Sequence, residues 1–146
     1  MSFYDDISKY YNYIFPLKNN KVDFVLDGVN DAQRILDIGC STGELAKSLS
    51  EQGNFVVGID LDEAMIKIAK GYENDNLKFH YLNMLRICDF FDTCYFDQII
   101  CFGNTLVHLN NDEEILVLFK AVRALLKKDG SFKFQIINPD YSYNVE

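Results

Sequence analysis

Asp37, Gly39, Gly43 and Glu44 fall close together in Ile35–Leu45 (ILDIGCSTGEL), and Asp60 follows 21 residues after Gly39. Two glycines closing an apolar run let the backbone turn sharply and let a ligand lie against it where a Cβ would intrude. A helix beginning near Glu44 aims unpaired N–H groups at the same place. Asp60 closes the next apolar run, where a carboxylate can accept both hydroxyls of a ribose. The ligand these residues suit is a nucleoside derivative.

Charge narrows the choice. The dinucleotide fingerprint is G-x-G-x-x-G, but here the turn reads G-C-S-T-G, with Ser41 where the second glycine belongs. Asp37 before the turn and Glu44 after it would repel a doubly negative pyrophosphate. A ligand with an ammonium or sulfonium group gains from them, at roughly 1.5–3 kcal/mol per charge-assisted hydrogen bond. That favours S-adenosylmethionine over a nicotinamide dinucleotide, and so disfavours an NAD(P)-dependent oxidoreductase.

The elements that must position these residues alternate along the chain. FYDDISKYYNYIF has Phe3, Ile7, Tyr10 and Ile14 at helical spacing, closed by Pro16. Val22, Val25, Leu26 and Val29 form a second helical face. RILDI, FVVGID, LKFHYL, FDQIICF and SFKFQIIN read as strands, with Leu77, Phe79 and Tyr81 on one side of the third and His80 exposed on the other. Between them, GELAKSLSEQG should be a helix with Leu45 and Leu49 inward and Gly53 closing it. DEAMIKIAKGY should be one capped by Asp62, with Met65, Ile68 and Ala69 inward. NDEEILVLFKAVRALLKKDG has Asn111 and Glu114 at capping-box spacing. Its core stripe reads Ile115, Phe119, Val122 and Leu126, with lysines in the last turn and Gly130 after it. Short apolar strands alternating with helices predict an α/β fold of three layers, a parallel sheet covered on both faces. Ligands bind such sheets beyond the carboxyl ends of the strands, which here carry Gly39–Gly43, Asp60, Asn83, Phe102–Asn104 and Asn138.

The 146 residues suit one domain burying roughly 70% of its unfolded surface. A formal net charge of −8 disfavours a grip on nucleic acid, which depends on Lys and Arg releasing counterions. Cys40, Cys88, Cys94 and Cys101 include no C-x-x-C pair, so neither a zinc site nor a disulfide framework is expected. Cys40 has no basic neighbour in sequence and reads as a turn-filler rather than a nucleophile. Free thiols, no apolar leader in MSFYDDISKYY and no apolar run of about 20 residues predict a cytoplasmic protein without a membrane span.

Together, ILDIGCSTG, VVGIDLDEAM and FDQIICFGNTLVHL…DEEILVLFKAVRALLKKDGSFKFQIIN resemble a class I S-adenosylmethionine-dependent methyltransferase. GNTLVHL and FQIIN are similar to the branch of small-molecule, glycine-type N-methyltransferases, and the resemblance runs to about Pro139. It implies a Rossmann-like sheet of order 3-2-1-4-5, with residues 1–30 as a helical lead-in over the cofactor and 31–146 as the core. It also implies that Gly39, Cys40, Ser41, Thr42 and Gly43 lie against the methionine part of the cofactor, with Asp37 near its ammonium. Asp60 would hold the ribose, Leu61 and Met65 flank the adenine, and Asn83 and Met84 line its edge. Phe102, Gly103 and Asn104 would pass the reactive end, and Tyr4, Tyr10 and Tyr11 would form an aromatic lid.

Transfer from a sulfonium is an in-line displacement with the methyl group already activated, so the protein mainly positions the reactants. His108, just after the fourth strand, is the candidate general base or acceptor contact, and Asn104 could orient the acceptor. Asn83 stands where the family commonly has Asp; its amide oxygen can still accept from an adenine amino group. The family's sheet continues past the fifth strand into an antiparallel pair, whereas this sequence runs out at NPDYSYNVE. The expectation is a domain lacking that pair, with the fifth strand an open edge on which two copies could pair as a homodimer. A small-molecule acceptor is expected, and no metal. The rival is a cofactor-binding module without turnover.

Overall fold

The computed structural model describes residues 8–14, 19–103 and 105–136, without the side chains of Tyr11, Ile14 and Asn19. The described chain begins with a 3-10 turn at Ser8–Tyr10 leading into α1 (Tyr11–Ile14), then α2 (Asn19–Leu26). Next come β1 (Arg34–Ile38), α3 (Glu44–Glu51), β2 (Phe55–Asp60), α4 (Glu63–Ala69), β3 (Leu77–Tyr81) and α5 (Ile87–Phe90). The chain continues through β4 (Phe96–Cys101), α6 (Asp112–Leu125) and β5 (Leu126–Phe134).

The five strands form one parallel sheet in the order β3-β2-β1-β4-β5, as expected. One face packs Ile35, Val56, Leu77, Phe79 and Ile100 against Val25 of α2, Leu45 and Leu49 of α3 and Ile66 and Ala69 of α4. The other packs Leu36, Ile38, Ile99 and Cys101 against Ile87 of α5 and Leu118, Val122 and Leu125 of α6. Successive strands step outward from β1 to β3, then return to its other side with β4. That reversal opens a crevice above the carboxyl ends of β1, β2 and β4.

Several expectations about individual side chains are corrected. The buried stripe of α6 is Leu118, Ala121, Val122 and Leu125, while Ile115 and Phe119 are exposed. The helix is apolar over much of its circumference, so spacing alone left its rotation open. It also ends sooner than expected, at Leu125. Cys94 and Tyr95 donate their N–H groups to the carbonyls of Ala124 and Leu125, both at 2.9 Å, and Leu126 pairs with Phe96. Lys127 and Lys128 therefore belong to β5, which advances from Leu126 to Ser131 while β4 advances only from Phe96 to Gln98. The bulge carries Lys127 to a 2.9 Å ion pair with Asp97. In α4, Ile66 is buried in place of Ile68. Tyr81 is 60% exposed despite its alternation with Phe79, because β3 is an edge strand whose last residue clears α4. His80 is half-buried rather than exposed, its ring 4.8 Å from that of Phe90.

Candidate active site

The glycine turn is pinned to β2: Gly39 and Cys40 donate to the carbonyl of Ile59 at 2.8 and 2.9 Å, and Gly43 donates back to Cys40 at 2.9 Å. Gly39, Ser41 and Gly43 all adopt left-handed φ angles (74°, 51° and 83°). Asp60 locks the far side, its Oδ2 accepting from the Ser41 N–H at 2.8 Å and its Oδ1 from the Asp62 N–H at 2.9 Å. Asp62 then caps α4, accepting from the Met65 N–H at 3.1 Å. Turn, strand end and helix start thus form one rigid unit.

Above it lies a cleft of about 190 Å³. Of the residues expected to bind a cofactor, it brings together Gly39, Ser41, Asp60, Leu61, Met65, Met84 and Gly103, with His108 at its exposed mouth. Ile38, Ile59, Asp62, Leu82 and Thr105 also line it. Thr105 had no signal in the sequence; its hydroxyl donates to the Phe102 carbonyl at 2.8 Å, and its side chain lies against Gly39.

Other expected residues lie elsewhere. Cys40 and Phe102 are buried in the core, Phe102 with its ring 6.0 Å from that of Phe24. Thr42 is buried and donates its hydroxyl to Asn12 of α1. Gly43 faces Phe79 rather than the cleft. Asn83 caps the 3-10 turn at Met84–Arg86, its side chain accepting from the Leu85 N–H at 2.9 Å, while its neighbours Leu82 and Met84 reach the cleft. Tyr10 is 64% exposed and is not among the residues lining the cleft. Asn104 and Tyr4 lie outside the described residues, as does the Tyr11 side chain. Glu44, read as a countercharge for the ligand, instead accepts from Asn12 at 2.9 Å and from the Tyr72 hydroxyl at 2.6 Å. Its role is to dock α1 and the turn after α4 onto the glycine turn.

Among the described residues, the negative charge near the cleft comes from Asp37, Asp60 and Asp62, and neither Lys nor Arg lines it. Asp37 is buried at the end of β1. Burial pushes its carboxyl up to about 7, the charge on Asp60 adds to the rise, and Lys21 opposes it. Burial also raises Asp60, against the lowering effect of its backbone N–H partners. The thiols of Cys40 and Cys101 are pushed up in the same way, Cys101 to about 12, so neither is a thiolate near neutrality.

The value for Asp37 gives a pH dependence with a definite sign. Its folded value lies above the unfolded value of about 3.9, so the folded state holds the extra proton between the two. Its contribution to stability is full below about pH 4, falls as pH rises through about 7, and is level above that. Asp37→Asn should flatten the melting temperature across this window and melt above wild type at pH 8. A variant with the wild-type slope would assign the titration to another group.

Among the described residues, no helix is long and apolar enough to cross a membrane, and no cluster of side chains is suited to a metal. A family model described as a methyltransferase domain matches residues 35–130. A Geobacillus sp. (strain WCH70) protein, provisionally named a methyltransferase, is 36% identical over 112 residues, covering 75% of this chain and 44% of its own length. The ubiquinone biosynthesis O-methyltransferase of Coxiella burnetii (strain Dugway 5J108-111) is 30% identical over 114 residues, 75% of this chain and 45% of that protein. The chain thus spans about half the length of the curated relatives it matches. In fold it is similar to the PH0226 protein of Pyrococcus horikoshii OT3, with a TM-score of 0.78, 23% identity, and 98% of this chain and 65% of that one covered. With the glycine turn, β2, β4 and α6 all inside the matched span, the chain belongs to the methyltransferase domain family.

Proposed function

We propose that the chain binds S-adenosylmethionine in the cleft above β1, β2 and β4 and directs its methyl group to a small-molecule acceptor. The observation that carries this reading is Asp60, a carboxylate fixed at the end of β2 and facing the cleft with Gly39. Backbone N–H groups of Ser41, Asp62 and Leu61 hold the Asp60 carboxylate, whose two oxygens have about four acceptor sites between them and so can still meet a ribose hydroxyl. Ile59, Leu61, Met65, Leu82 and Met84 offer the apolar surface an adenine needs. Asp37 below the turn supplies negative charge for an ammonium, and the lack of a lining cation among the described residues disfavours a pyrophosphate.

When bound, the cofactor supplies a methyl group already activated on a sulfonium. The chain's part is orientation: the glycine turn and Asp60 fix one reactant, while Thr105 and His108 line the side from which an acceptor would approach. His108, exposed and lining the cleft, would take a proton from a protonated acceptor in this reading. A second copy of the chain is the macromolecular partner in this reading, on the side of β5.

Calorimetric titration with S-adenosylhomocysteine tests the cofactor reading. It should give a dissociation constant on the order of micromolar, about −8 kcal/mol, and NADH should not quench or shift tyrosine fluorescence. A folded chain that ignores S-adenosylhomocysteine, or prefers NADH, would overturn it. Binding should also strengthen as pH rises through about 7, where Asp37 acquires its charge.

A further inference from the structure

Helix α6 buries Leu118, Ala121, Val122 and Leu125, which leaves Glu113, Leu116, Val117, Lys120 and Arg123 along its solvent side. Leu116 is 54% exposed and Val117 47%. Read along the helix, this ridge is acidic, then apolar at two adjacent positions, then basic. The chain has a net charge of −8, yet α6 carries both signs, with Asp112, Glu113 and Glu114 in its first turn and Lys120 and Arg123 toward its end. The opposite signs thus lie at opposite ends of the ridge, where a self-complementary contact can use them.

We propose that this ridge is the contact between two copies of the chain, α6 lying antiparallel to its twin across a two-fold axis midway between Leu116 and Val117. That axis sets Leu116 against the twin's Val117, Glu113 against its Lys120, and Asn110 against its Arg123. Every like-charged encounter is avoided, and the apolar pair falls at the centre. A parallel two-fold arrangement would set Glu113 on Glu113 and Lys120 on Lys120, so the charge order selects the antiparallel dimer.

The apolar surface continues beside the ridge. Phe119 lies 5.5 Å and 5.9 Å, ring centre to ring centre, from Phe132 and Phe134, and Ile115 is exposed one turn before it. This band leads to the outer edge of β5, which pairs with no further strand among the described residues. The inference rests on the β5-side partner proposed above and not on the cofactor reading, which the S-adenosylhomocysteine titration tests separately.

The test is sedimentation of the full chain from about 1 to about 100 μM, a range spanning weak association. Wild type should form a dimer that weakens as salt is raised. Glu113→Lys creates two like-charge contacts per dimer and should raise the dissociation constant about tenfold or more. Glu113→Lys combined with Lys120→Glu restores both pairs and should return it to within about threefold of wild type. Leu116→Lys should leave a monomer. All these positions are exposed, and thermal melts would verify that each variant folds. A wild-type chain that stays monomeric throughout, or a double reversal no better than the single one, would overturn the proposal.

Discussion

Asp60→Ala should weaken S-adenosylhomocysteine binding by about 100-fold or more while leaving a folded chain. A charge-assisted hydrogen bond to a ribose hydroxyl, at roughly 1.5–3 kcal/mol, already accounts for most of a loss of that size. A further loss comes through the turn. Asp60 holds the N–H groups of Ser41 and Asp62 at 2.8 and 2.9 Å, so its removal releases the backbone that shapes the floor of the cleft. Asp60→Asn separates the two effects. Its single amide oxygen can keep one backbone N–H and meet one hydroxyl, while the amide NH2 opposes the other N–H. An intermediate loss is expected, with the melting temperature between those of wild type and Asp60→Ala. If Asp60→Ala binds within a few-fold of wild type, the ribose does not sit at the end of β2.

How much of this was legible beforehand depended on whether a signal was local. β1, β2 and β4 were readable as apolar runs because a parallel strand is buried on both faces, and their ends carry the turn residues beside which a ligand must lie. Asn111 does cap α6, accepting from the Glu114 N–H at 2.9 Å. The return arm of that box misses by one residue, since the Glu114 carboxylate takes the Asn110 N–H at 2.7 Å.

What escaped the sequence came from partners far along the chain. Glu44 looked like a countercharge because its neighbours are the glycine turn, yet Asn12, 32 residues earlier, and Tyr72, 28 residues later, claim its carboxylate. Thr105 reaches Gly39 only because the reversal between β1 and β4 makes their ends adjacent. The rotation of α6 was ambiguous for a different reason. Ile115, Leu116, Val117, Leu118 and Phe119 are all apolar, and only the sheet decides which of them it covers.

Gly43 was read as room for a ligand, and its surroundings give it another task with a large expected effect. A Cβ there would stand 2.6 and 2.8 Å from the Phe79 ring and 3.0 Å from the Ala69 Cβ, on a backbone whose φ of 83° already disfavours side chains. Phe79 is fully buried between β2 and α4, so its ring has little space into which to retreat. Overpacking of this kind costs about 1–3 kcal/mol and a left-handed alanine about 1–2 kcal/mol more. Gly43→Ala should therefore destabilise the chain by about 3 kcal/mol in urea unfolding, a large share of a small domain's stability. Phe79→Leu alone should also destabilise by trimming the core. In the Gly43→Ala background, however, it should recover part of the loss, because the clash is with the ring. Gly43→Ala that leaves stability unchanged but abolishes S-adenosylhomocysteine binding would return the glycine to the ligand. Loss of stability with partial rescue by Phe79→Leu would show that the second glycine of the turn serves the core.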